Sequence, residues 1–416
     1  MSVVVVYDQG AVSPTEIVGA TDPDRPLVVV LGPSDHARRF RPLFMEAAAA
    51  VYDLADLELT SRLRGRHTMG IVTFSEPMLP ATSRLAAELG LPFHDVATVR
   101  LLTDKAAQRQ RLRAAGVDST ASTVVSDTAQ WDAVVRDLGL PVVVKPVRGV
   151  SSRNTVLVEE REAGRAQLDR LLREEGRVVV EEYLRGVEVP PPFGDYVSVE
   201  TAVCQGERCH FAVTGKLRLA PPFRECGQFW PARLDAATRE AVLLSVDQAV
   251  KALDVQSGVL HTELKLTSAG PRVIEVNGRT GGYLPELARR AAGIDLVDLA
   301  IRISSGARVD ISPVDPDRVF FQFTTPAPTE PGRVCEVSRR ESLHGVAAVT
   351  GYYPFARPGV RVGGFQTHDL DLVVGDVPDH EALASTVETI MDRISYRFDV
   401  GGRQVRRSAR DLIDNL

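Results

Sequence analysis

The spacing of apolar and polar residues along the chain predicts a mixed α/β protein. In the first hundred residues, short valine-rich runs of the kind that form buried parallel strands alternate with helical patterns. The strands are predicted at residues 3–7, 27–31 and 70–74, and the helices at residues 42–54 and 79–89. Strands that alternate with helices favour an open parallel sheet, so residues 1–98 are interpreted as a small α/β domain.

The length of the chain favours two to four domains. Further helices are predicted at residues 105–115, 130–138, 163–173, 239–253, 285–291, 296–304 and 383–394. Further strands are predicted at residues 123–126, 141–145, 177–183, 197–203, 210–217, 319–324, 346–353 and 360–362, and a long loop at 219–231. From about residue 315 the pattern becomes rich in strands.

A hairpin with facing carboxylates is predicted between residues 260 and 277. Residues 260–266 alternate between polar and apolar side chains, as a half-buried strand does, and a short turn leads into a second strand. If Leu266 pairs with Arg272, the register sets two other pairs opposite each other, Glu263 with Glu275 and His261 with Asn277. Like charges in directly opposed positions destabilise a sheet, so this arrangement needs an explanation.

A cation between the two glutamates removes that repulsion. Two carboxylates with a nearby asparagine carbonyl form a set of hard oxygen ligands, which suits Mg²⁺ shared with substrate phosphates. The following residues, 278–282, add the guanidinium of Arg279 and a flexible glycine pair. A metal, an arginine and close backbone approach together suggest phosphoryl chemistry. The alternative is that both glutamates are solvated on an exposed strand face, with Arg279 pairing one of them.

Composition excludes several classes of function. The 416 residues are 44% hydrophobic and 25% charged with a net charge of −6, which is typical of a soluble enzyme. A basic stripe with interleaved aromatic residues is lacking, so no nucleic-acid partner is expected. Neither a membrane-spanning apolar run nor the charged start of a signal peptide is seen, so no membrane is expected. The four cysteines lack metal-ligand spacing and are expected to be reduced thiols in the cytoplasm.

Lysines are rare, at five among 49 basic residues. Lysine carries a compact, mobile charge that suits phosphate oxygens, and four of the five lie in segments with other notable features: Lys105, Lys145, Lys216 and Lys265. Codon usage and chance are the alternative explanation. Lys145 is followed by a polar loop at residues 147–154, in which Ser151, Ser152 and backbone N–H groups can fold over phosphates. A plain hairpin connection is the alternative for that loop.

Four strings occur in a fixed order, and together they resemble the ATP-grasp superfamily of carboxylate–amine ligases. They are Thr103-Asp104-Lys105, Val142-Val143-Val144-Lys145-Pro146, the run from Val178 to Glu188, and the hairpin that ends Asn277-Gly278-Arg279. The resemblance covers residues 100–305 well and the N-terminal domain loosely. It implies a Rossmann-like N-terminal domain with an open parallel sheet, and two α+β lobes that enclose ATP. Residues 99–186 would be the small lid lobe with a linker helix, 187–312 the large lobe with the metal site, and 313–416 an α+β segment packed on that lobe.

The resemblance implies ATP and Mg²⁺ as cofactors, with two ions and with Mn²⁺ able to substitute. Lys105 and Lys145 match the lysines that contact the nucleotide phosphates. The hinge that reads adenine is matched by Glu181 and by the backbone of Glu182, Tyr183 and Leu184, and the acid that holds the ribose hydroxyls by Glu188. The magnesium ligands are matched by Glu263, Glu275 and Asn277, and the arginine that steadies the transferred phosphoryl group by Arg279.

Within the superfamily, the chain most resembles the L-amino-acid ligases that make dipeptides. Residues 73–92, 216–231 and 260–263 carry this likeness, which implies that the loop at residues 219–231 covers the acyl site. It implies substrate contacts from Glu76, Lys216, Glu225, Gln228, His261, Arg279, Gly282 and Tyr283. This chain departs from those enzymes at Gln228, where they usually have a histidine. The departure affects the residues that would handle the acyl phosphate or the acceptor amine. Tyr283 stands where a gate on substrate size is expected.

The resemblance therefore predicts an enzyme that activates a carboxylate, of an amino acid in the first place, as an acyl phosphate. An amine of a second amino acid would then attack, giving an amide, ADP and phosphate. Arg279, Lys145 and Glu225 are the predicted catalytic residues, and Glu76 or Glu225 would orient or deprotonate the amine. The alternatives are a carboxylase-like or purine-biosynthesis ligase, and a nucleotide-binding regulator without catalysis. Small-molecule substrates and a homodimer are expected, whereas the identity of the two substrates is not readable from the sequence.

Overall fold

The computed structural model describes residues 2–364 and 367–414. The helices within these residues are α1 Pro14–Gly19, α2 Asp35–Arg39, α3 Arg41–Ala47, α4 Leu59–Arg64, α5 Leu79–Leu89, α6 Val96–Thr103, α7 Lys105–Ala114, α8 Trp131–Leu138, α9 Arg161–Glu175, α10 Ala236–Ala252, α11 Leu284–Ala292, α12 Leu296–Ser304, α13 His380–Arg393 and α14 Ala409–Asp414. The strands are β1 Ser2–Tyr7, β2 Leu27–Leu31, β3 Ala50–Asp53, β4 Thr68–Thr73, β5 Ser122–Val125, β6 Val142–Pro146, β7 Val156–Val158, β8 Val178–Glu182, β9 Phe193–Cys204, β10 Glu207–Leu217, β11 Gly227–Trp230, β12 Gly258–Thr267, β13 Gly270–Asn277, β14 Val319–Pro326, β15 Gly332–Glu336, β16 Val349–Pro354, β17 Arg361–Val362, β18 Asp369–Val377, β19 Ser395–Val400 and β20 Arg403–Ser408.

The N-terminal segment forms the predicted parallel sheet, in the order β3-β2-β1-β4. Alternate valines of β1 enter two separate cores, one on each face, which explains why the strand is apolar throughout. The predicted helix at 42–54 is wrong in its second half, since α3 ends at Ala47 and residues 50–53 form β3. An alanine-rich run favours a helix locally, but pairing of β3 with β2 decides its conformation.

A second sheet of four antiparallel strands lies in the order β5-β8-β6-β7. Its core face packs against α8 and α9 through Trp131 and alternate valines that include Val144 and Val180. Because side chains alternate along a strand, Lys145 and Glu181 point to the opposite face. That face, where Glu181 contacts Arg109 of α7, carries the candidate nucleotide residues.

The largest sheet has eight antiparallel strands in the order β13-β12-β9-β10-β11-β14-β18-β16. Strands from before and after residue 312 therefore share one sheet, and β17-β15-β19-β20 form a fourth sheet beside it. The predicted loop at 219–231 is wrong in its last part, because residues 227–230 form β11 between β10 and β14. Phe229 and Trp230 are buried there, so pairing across the sheet overrides a segment too short to show a strand pattern.

Two predicted amphipathic helices are confirmed by burial. On α10, Val242, Val246 and Val250 are fully buried, as helical spacing requires of one face. On α13, Leu383 and Ile390 are likewise fully buried. No helix in the described ranges is long and apolar enough to cross a bilayer. The four domain boundaries stay a prediction.

Candidate active site

The hairpin of β12 and β13 has the predicted register at the end away from its turn. Glu263 lies opposite Glu275, and His261 lies opposite Asn277, as predicted. Near the turn the prediction is one residue off, because Arg272 pairs with Lys265 instead of Leu266. A β-bulge that leaves residue 274 unmatched produces this shift.

The outer edge of β13 is held by side chains of α7 and of the segment that follows it. Gln108 bonds both backbone groups of Val276, at 2.8 Å to its N–H and 2.9 Å to its carbonyl. Arg109 donates to the carbonyl of Val273 at 2.6 Å and to that of the bulged residue at 2.9 Å. Asp118 accepts from the N–H of Val273 at 2.9 Å. These bonds satisfy an otherwise open sheet edge and fix the strand that carries Glu275.

Each of the two facing glutamates has a cationic partner of its own. Lys105 Nζ contacts the carboxylate of Glu275, and both side chains are largely buried. His261 Nε2 lies 3.2 Å from Glu263 Oε1. Burial alone would lower the pKa of Lys105, but the Glu275 carboxylate raises it, so the lysine stays charged. In the free protein these two cations offset the repulsion that the register would otherwise create.

His261 bridges two carboxylates, of which one was not predicted. Its Nδ1 lies 2.7 Å from Oε1 of Glu200, a residue of β9 that is completely buried. Burial would lower the pKa of His261, but the Glu200 carboxylate raises it to about 9. Burial would raise the pKa of Glu263, but the hydrogen bond from His261 lowers it to about 2. Glu200 lies in β9 among Val197, Val199 and Val203, and a charged residue in such a valine-rich strand was the signal that could have found it.

Gly281 lies directly against the imidazole of His261. A Cβ at this position would approach His261 Nδ1 to 2.7 Å, so only glycine fits without a shift. The sequence suggested that Gly281 and Gly282 give flexibility. In the structure Gly281 instead allows close packing against His261.

Lys145 and Glu181 form the centre of the predicted nucleotide face. Glu181 lies 2.9 Å from Lys145 Nζ and 3.1 Å from the guanidinium of Arg109. Burial would raise the pKa of Glu181, but Arg109 and Lys145 lower it to about 2. Burial lowers the pKa of Lys145. Arg109 was missed because no motif singles out one arginine on a polar helix.

The predicted adenine hinge follows β8 directly. The N–H of Glu182 bonds the carbonyl of Ala121 at 2.9 Å, and that of Tyr183 bonds Pro141 at 3.3 Å. Within the described part of the chain, the N–H of Leu184 has no such backbone partner. Glu188 is exposed four residues further on. Adenine and ribose recognition by these residues stays a prediction.

The two predicted covering loops are both anchored. Ser151 and Ser152 lie between β6 and β7 with φ of 55° and 52°, and the Ser151 carbonyl accepts from the N–H of Thr367 at 3.0 Å. In the second loop, Arg224 is fully buried and donates to the carbonyls of Pro221, Ala327 and Leu412. Coverage of the phosphates by either loop stays a prediction.

Arg279 joins the hairpin to the N-terminal domain. Its Nη2 lies 3.4 Å from Oε2 of the buried Glu76, and its Nη1 donates to the carbonyl of Thr280 at 2.9 Å. Burial raises the pKa of Glu76, and the nearby charge of Glu275 acts in the same direction. Two residues predicted to meet the substrate thus lie together.

Gln228 organises the predicted acyl site in place of a histidine. Its Oε1 accepts from Nζ of the buried Lys216 at 2.9 Å. Its Nε2 donates to the carbonyl of Gly282 at 3.0 Å and to the side chain of Gln322 at 2.8 Å. A neutral amide therefore positions Lys216 and the backbone beside Tyr283. Lys265, which the rarity of lysine had also singled out, pairs instead with Asp195 at 2.6 Å.

Tyr283 is held in an unusual backbone conformation at the start of α11. Its φ is 57°, which is uncommon for a residue with a bulky side chain. Its hydroxyl donates to Asp369 Oδ2 at 2.9 Å, and its ring stacks on Phe355 with centroids 5.7 Å apart. Such an outlier, held by several contacts, supports a functional role for the side chain.

The donor set fits a magnesium ion shared with phosphate. In the described ranges, no three His, Cys, Asp or Glu side chains form a metal cage by themselves. Asn277 donates through its amide nitrogen to the carbonyl of His261 at 3.3 Å, which leaves its side-chain oxygen as an acceptor. Two facing carboxylates and one amide oxygen leave room for phosphate oxygens, as Mg²⁺ prefers.

The comparisons with known proteins agree with this geometry. Residues 138–285 match the family model described as "ATP-grasp domain". An uncharacterized protein of Sinorhizobium fredii is 25% identical over 86% of this chain and 78% of its own length. The alanine–anticapsin ligase of Bacillus subtilis is 24% identical over 56% of this chain and 53% of its own length. The D-alanine–D-alanine ligase of Azoarcus sp. is 27% identical over 53% of this chain and 73% of its own length.

Solved structures show the same fold over almost the whole chain. The L-amino acid ligase from Bacillus licheniformis has a TM-score of 0.74 and 21% identity, covering 94% of this chain and 97% of that one. The phosphoribosylglycinamide synthetase from Anaerococcus prevotii has a TM-score of 0.65 and 13% identity, covering 95% and 98%. These similarities confirm the predicted ATP-grasp fold.

Proposed function

We propose that this chain, which contains an ATP-grasp domain, joins an amino-acid carboxylate to the amine of a second amino acid. ATP would be converted to ADP and phosphate, as in the ADP-forming class of carbon–nitrogen ligases. The observation that carries this proposal is the register that sets Glu263 opposite Glu275, with Lys105 in contact with Glu275. Lys145 is held by Glu181 on the neighbouring sheet. The ligase relatives support the reaction class. That both substrates are amino acids is a further step of the proposal.

The chemistry explains why these residue types are needed. A carboxylate is a poor electrophile, so it must be converted to an acyl phosphate before an amine can attack. Lys145 and Arg279 present fixed positive charge where negative charge grows during phosphoryl transfer. Glu263, Glu275 and Asn277 would hold Mg²⁺, which neutralises phosphate oxygens when bound. Lys105 would exchange its contact with Glu275 for the phosphates.

The attacking amine must lose a proton, and two carboxylates, Glu76 and Glu225, are available to orient it. Burial raises the pKa of both, which makes each a stronger proton acceptor. Glu76 already contacts Arg279, whereas Glu225 forms no ion pair with a described residue. Gln228 cannot take up a proton. Proton transfer is therefore assigned to Glu225.

The first test is a search for the substrates. The protein would be mixed with ATP, Mg²⁺ and pairs of amino acids, and mass spectrometry would follow ADP and new amide products. ADP formation that depends on amino acids, with a matching amide, is the expected result. Tight ATP binding without turnover would favour the regulator alternative. Turnover only with bicarbonate or with a ribonucleotide amine would favour the carboxylase-like or purine alternatives.

Replacement of Lys145 by alanine is expected to raise the KM for ATP and to lower kcat. A phosphate-bound point charge acts in both the ground state and the transition state, so each constant should change by roughly tenfold or more. Glu181 keeps Arg109 as a partner, so the fold should persist. Steady-state kinetics at varied ATP concentration provide the measurement. Lys251→Ala, at an exposed position on α10, is the matched control, and wild-type constants for Lys145→Ala would place Lys145 outside the site.

Replacement of Tyr283 by alanine is expected to admit bulkier acyl donors while the affinity for ATP stays nearly unchanged. The ring stacks on Phe355 next to the predicted acyl site, so its removal opens space there. The measurement is the ratio of kcat/KM values for large and small donors. Tyr353→Ala, on an exposed tyrosine of β16, is the control. An unchanged donor profile would rule out the gate.

A further inference from the structure

Two carboxylates near the predicted acyl site, those of Glu225 and Asp369, are not required for phosphoryl transfer. Nearest the hairpin, Glu225 lies close enough to Lys216, Glu263 and Arg279 for their charges to act on its pKa. Glu225 accepts no hydrogen bond and forms no ion pair within residues 2–364 and 367–414. One carboxylate is thus free beside the groups proposed to activate the donor.

A second carboxylate, that of Asp369 at the first residue of β18, has one oxygen without a partner in the described part of the chain. Asp369 Oδ2 accepts from the Tyr283 hydroxyl at 2.9 Å, whereas Oδ1 is buried and has no partner among the described residues. Burial raises the pKa of Asp369 to about 7, and the charge of Glu225 adds to the shift. The other groups that act on it, Tyr283, Thr324 and Asp371, bring no positive charge. A buried oxygen without a partner is costly, so this position suits a ligand that donates to it.

Hydrogen bonds connect the predicted acyl site to Asp369. Gln228 accepts from Lys216 and donates to the carbonyl of Gly282, and the next residue, Tyr283, donates to Asp369 Oδ2 at 2.9 Å. A donor with its carboxylate at Arg279 would lie on the acyl-site side of Tyr283. Its side chain would then extend past Tyr283 toward Asp369.

We propose that Asp369 binds a positively charged group at the end of the donor's side chain, so that the preferred donor is a cationic amino acid such as lysine, ornithine or arginine. This inference rests on the proposed ligase function. The stacked rings of Tyr283 and Phe355, 10° from parallel, offer an apolar wall for the aliphatic part of such a side chain. The charged end would donate a hydrogen bond to the buried Oδ1 of Asp369. It would also offset the negative charges of Asp369 and Glu225.

The competing explanation is that Asp369 only holds the hydroxyl of Tyr283. Asparagine separates the two roles, because its amide oxygen still accepts a hydrogen bond from the tyrosine but carries no charge. A purely structural role predicts equal effects on all donors. Charge recognition predicts a selective loss of cationic donors.

The experiment measures donor-dependent ADP formation with lysine, ornithine, arginine, leucine and alanine. The wild-type protein is expected to show a kcat/KM for its best cationic donor that exceeds the value for leucine by about tenfold to a hundredfold, the range of a charge-assisted hydrogen bond. Asp369→Asn should reduce that ratio by about tenfold or more. Asp369→Glu, which keeps the charge on a longer stem, should retain the ratio and shift it toward shorter donors. Asp376→Asn is the control, since Asp376 lies on the same strand and pairs with Arg318 at 2.8 Å.

Three results would overturn the inference. Cationic donors that are no better than leucine in the wild-type protein would contradict it, and so would a ratio that Asp369→Asn leaves unchanged. An equal loss with every donor in Asp369→Asn would assign the residue to structure alone. The absence of ADP formation with any amino acid is a different result, because it contradicts the ligase function itself.

Discussion

Replacing Glu275 with glutamine is expected to lower amino-acid-dependent ATP turnover by roughly 10²- to 10³-fold, since the charge stabilisation provided by a bound metal is worth several kcal/mol. Glutamine keeps the size of the side chain and one carbonyl oxygen. It removes a charge that a magnesium ion needs in a site with only two carboxylates. The loss should therefore appear in chemistry that depends on the metal, measured as ADP formation at saturating Mg²⁺.

The structure revises the effect of this substitution on stability. Repulsion between Glu263 and Glu275 by itself would make the mutant as stable as the wild type or more stable. In the structure Glu275 contacts Lys105, so the mutant loses an ion pair in the metal-free protein. Glu76 remains near Lys105, and the midpoint of thermal unfolding should therefore fall by only about 2–4 °C.

The two measurements together separate metal binding from a structural role. The melting temperature is recorded without metal, and turnover is recorded with saturating Mg²⁺. Glu58→Gln, at an exposed glutamate that pairs with Arg62, should change neither. A Glu275→Gln protein that melts much earlier and yet turns over normally would contradict the metal site.

Replacing Arg279 with lysine is expected to lower kcat by roughly 10²- to 10³-fold with a much smaller change in the KM for ATP. Lysine keeps the positive charge but loses the planar fork of five donors. Arg279 is oriented by Glu76 on one side and by the Thr280 carbonyl on the other. Its guanidinium is thus set in advance where charge would develop, and a flexible ammonium group cannot reproduce that geometry.

Kinetics at saturating donor and acceptor provide the measurement for Arg279→Lys. Arg84→Lys, at an exposed position on α5, is the matched control and should retain wild-type kcat. A large rise in KM with unchanged kcat would show that Arg279 binds the ground state and has no special role in phosphoryl transfer.

The sequence by itself determined the features that depend on local pattern. Period-two alternation at residues 260–266 and a short turn were enough to predict the hairpin and the pairing of Glu263 with Glu275, although a bulge shifts the register near the turn. Valine runs interrupted by helices were enough to predict the N-terminal parallel sheet. Helical spacing identified the buried faces of α10 and α13. Each of these inferences uses residues that are close together in the chain.

The tertiary structure alone decided the features that join distant segments. The carbonyl of the bulged residue before Glu275 accepts from Arg109, more than 160 positions earlier in the chain. The conformation of residues 227–230 depends on strands on both sides. Glu200 meets His261 only because β9 and β12 are neighbours in the sheet. Asp369 reaches Tyr283 only because β18 extends the sheet that begins with the hairpin. No local pattern carries these contacts, since burial and pairing partners are set by packing of the whole chain and not by the propensity of any one segment.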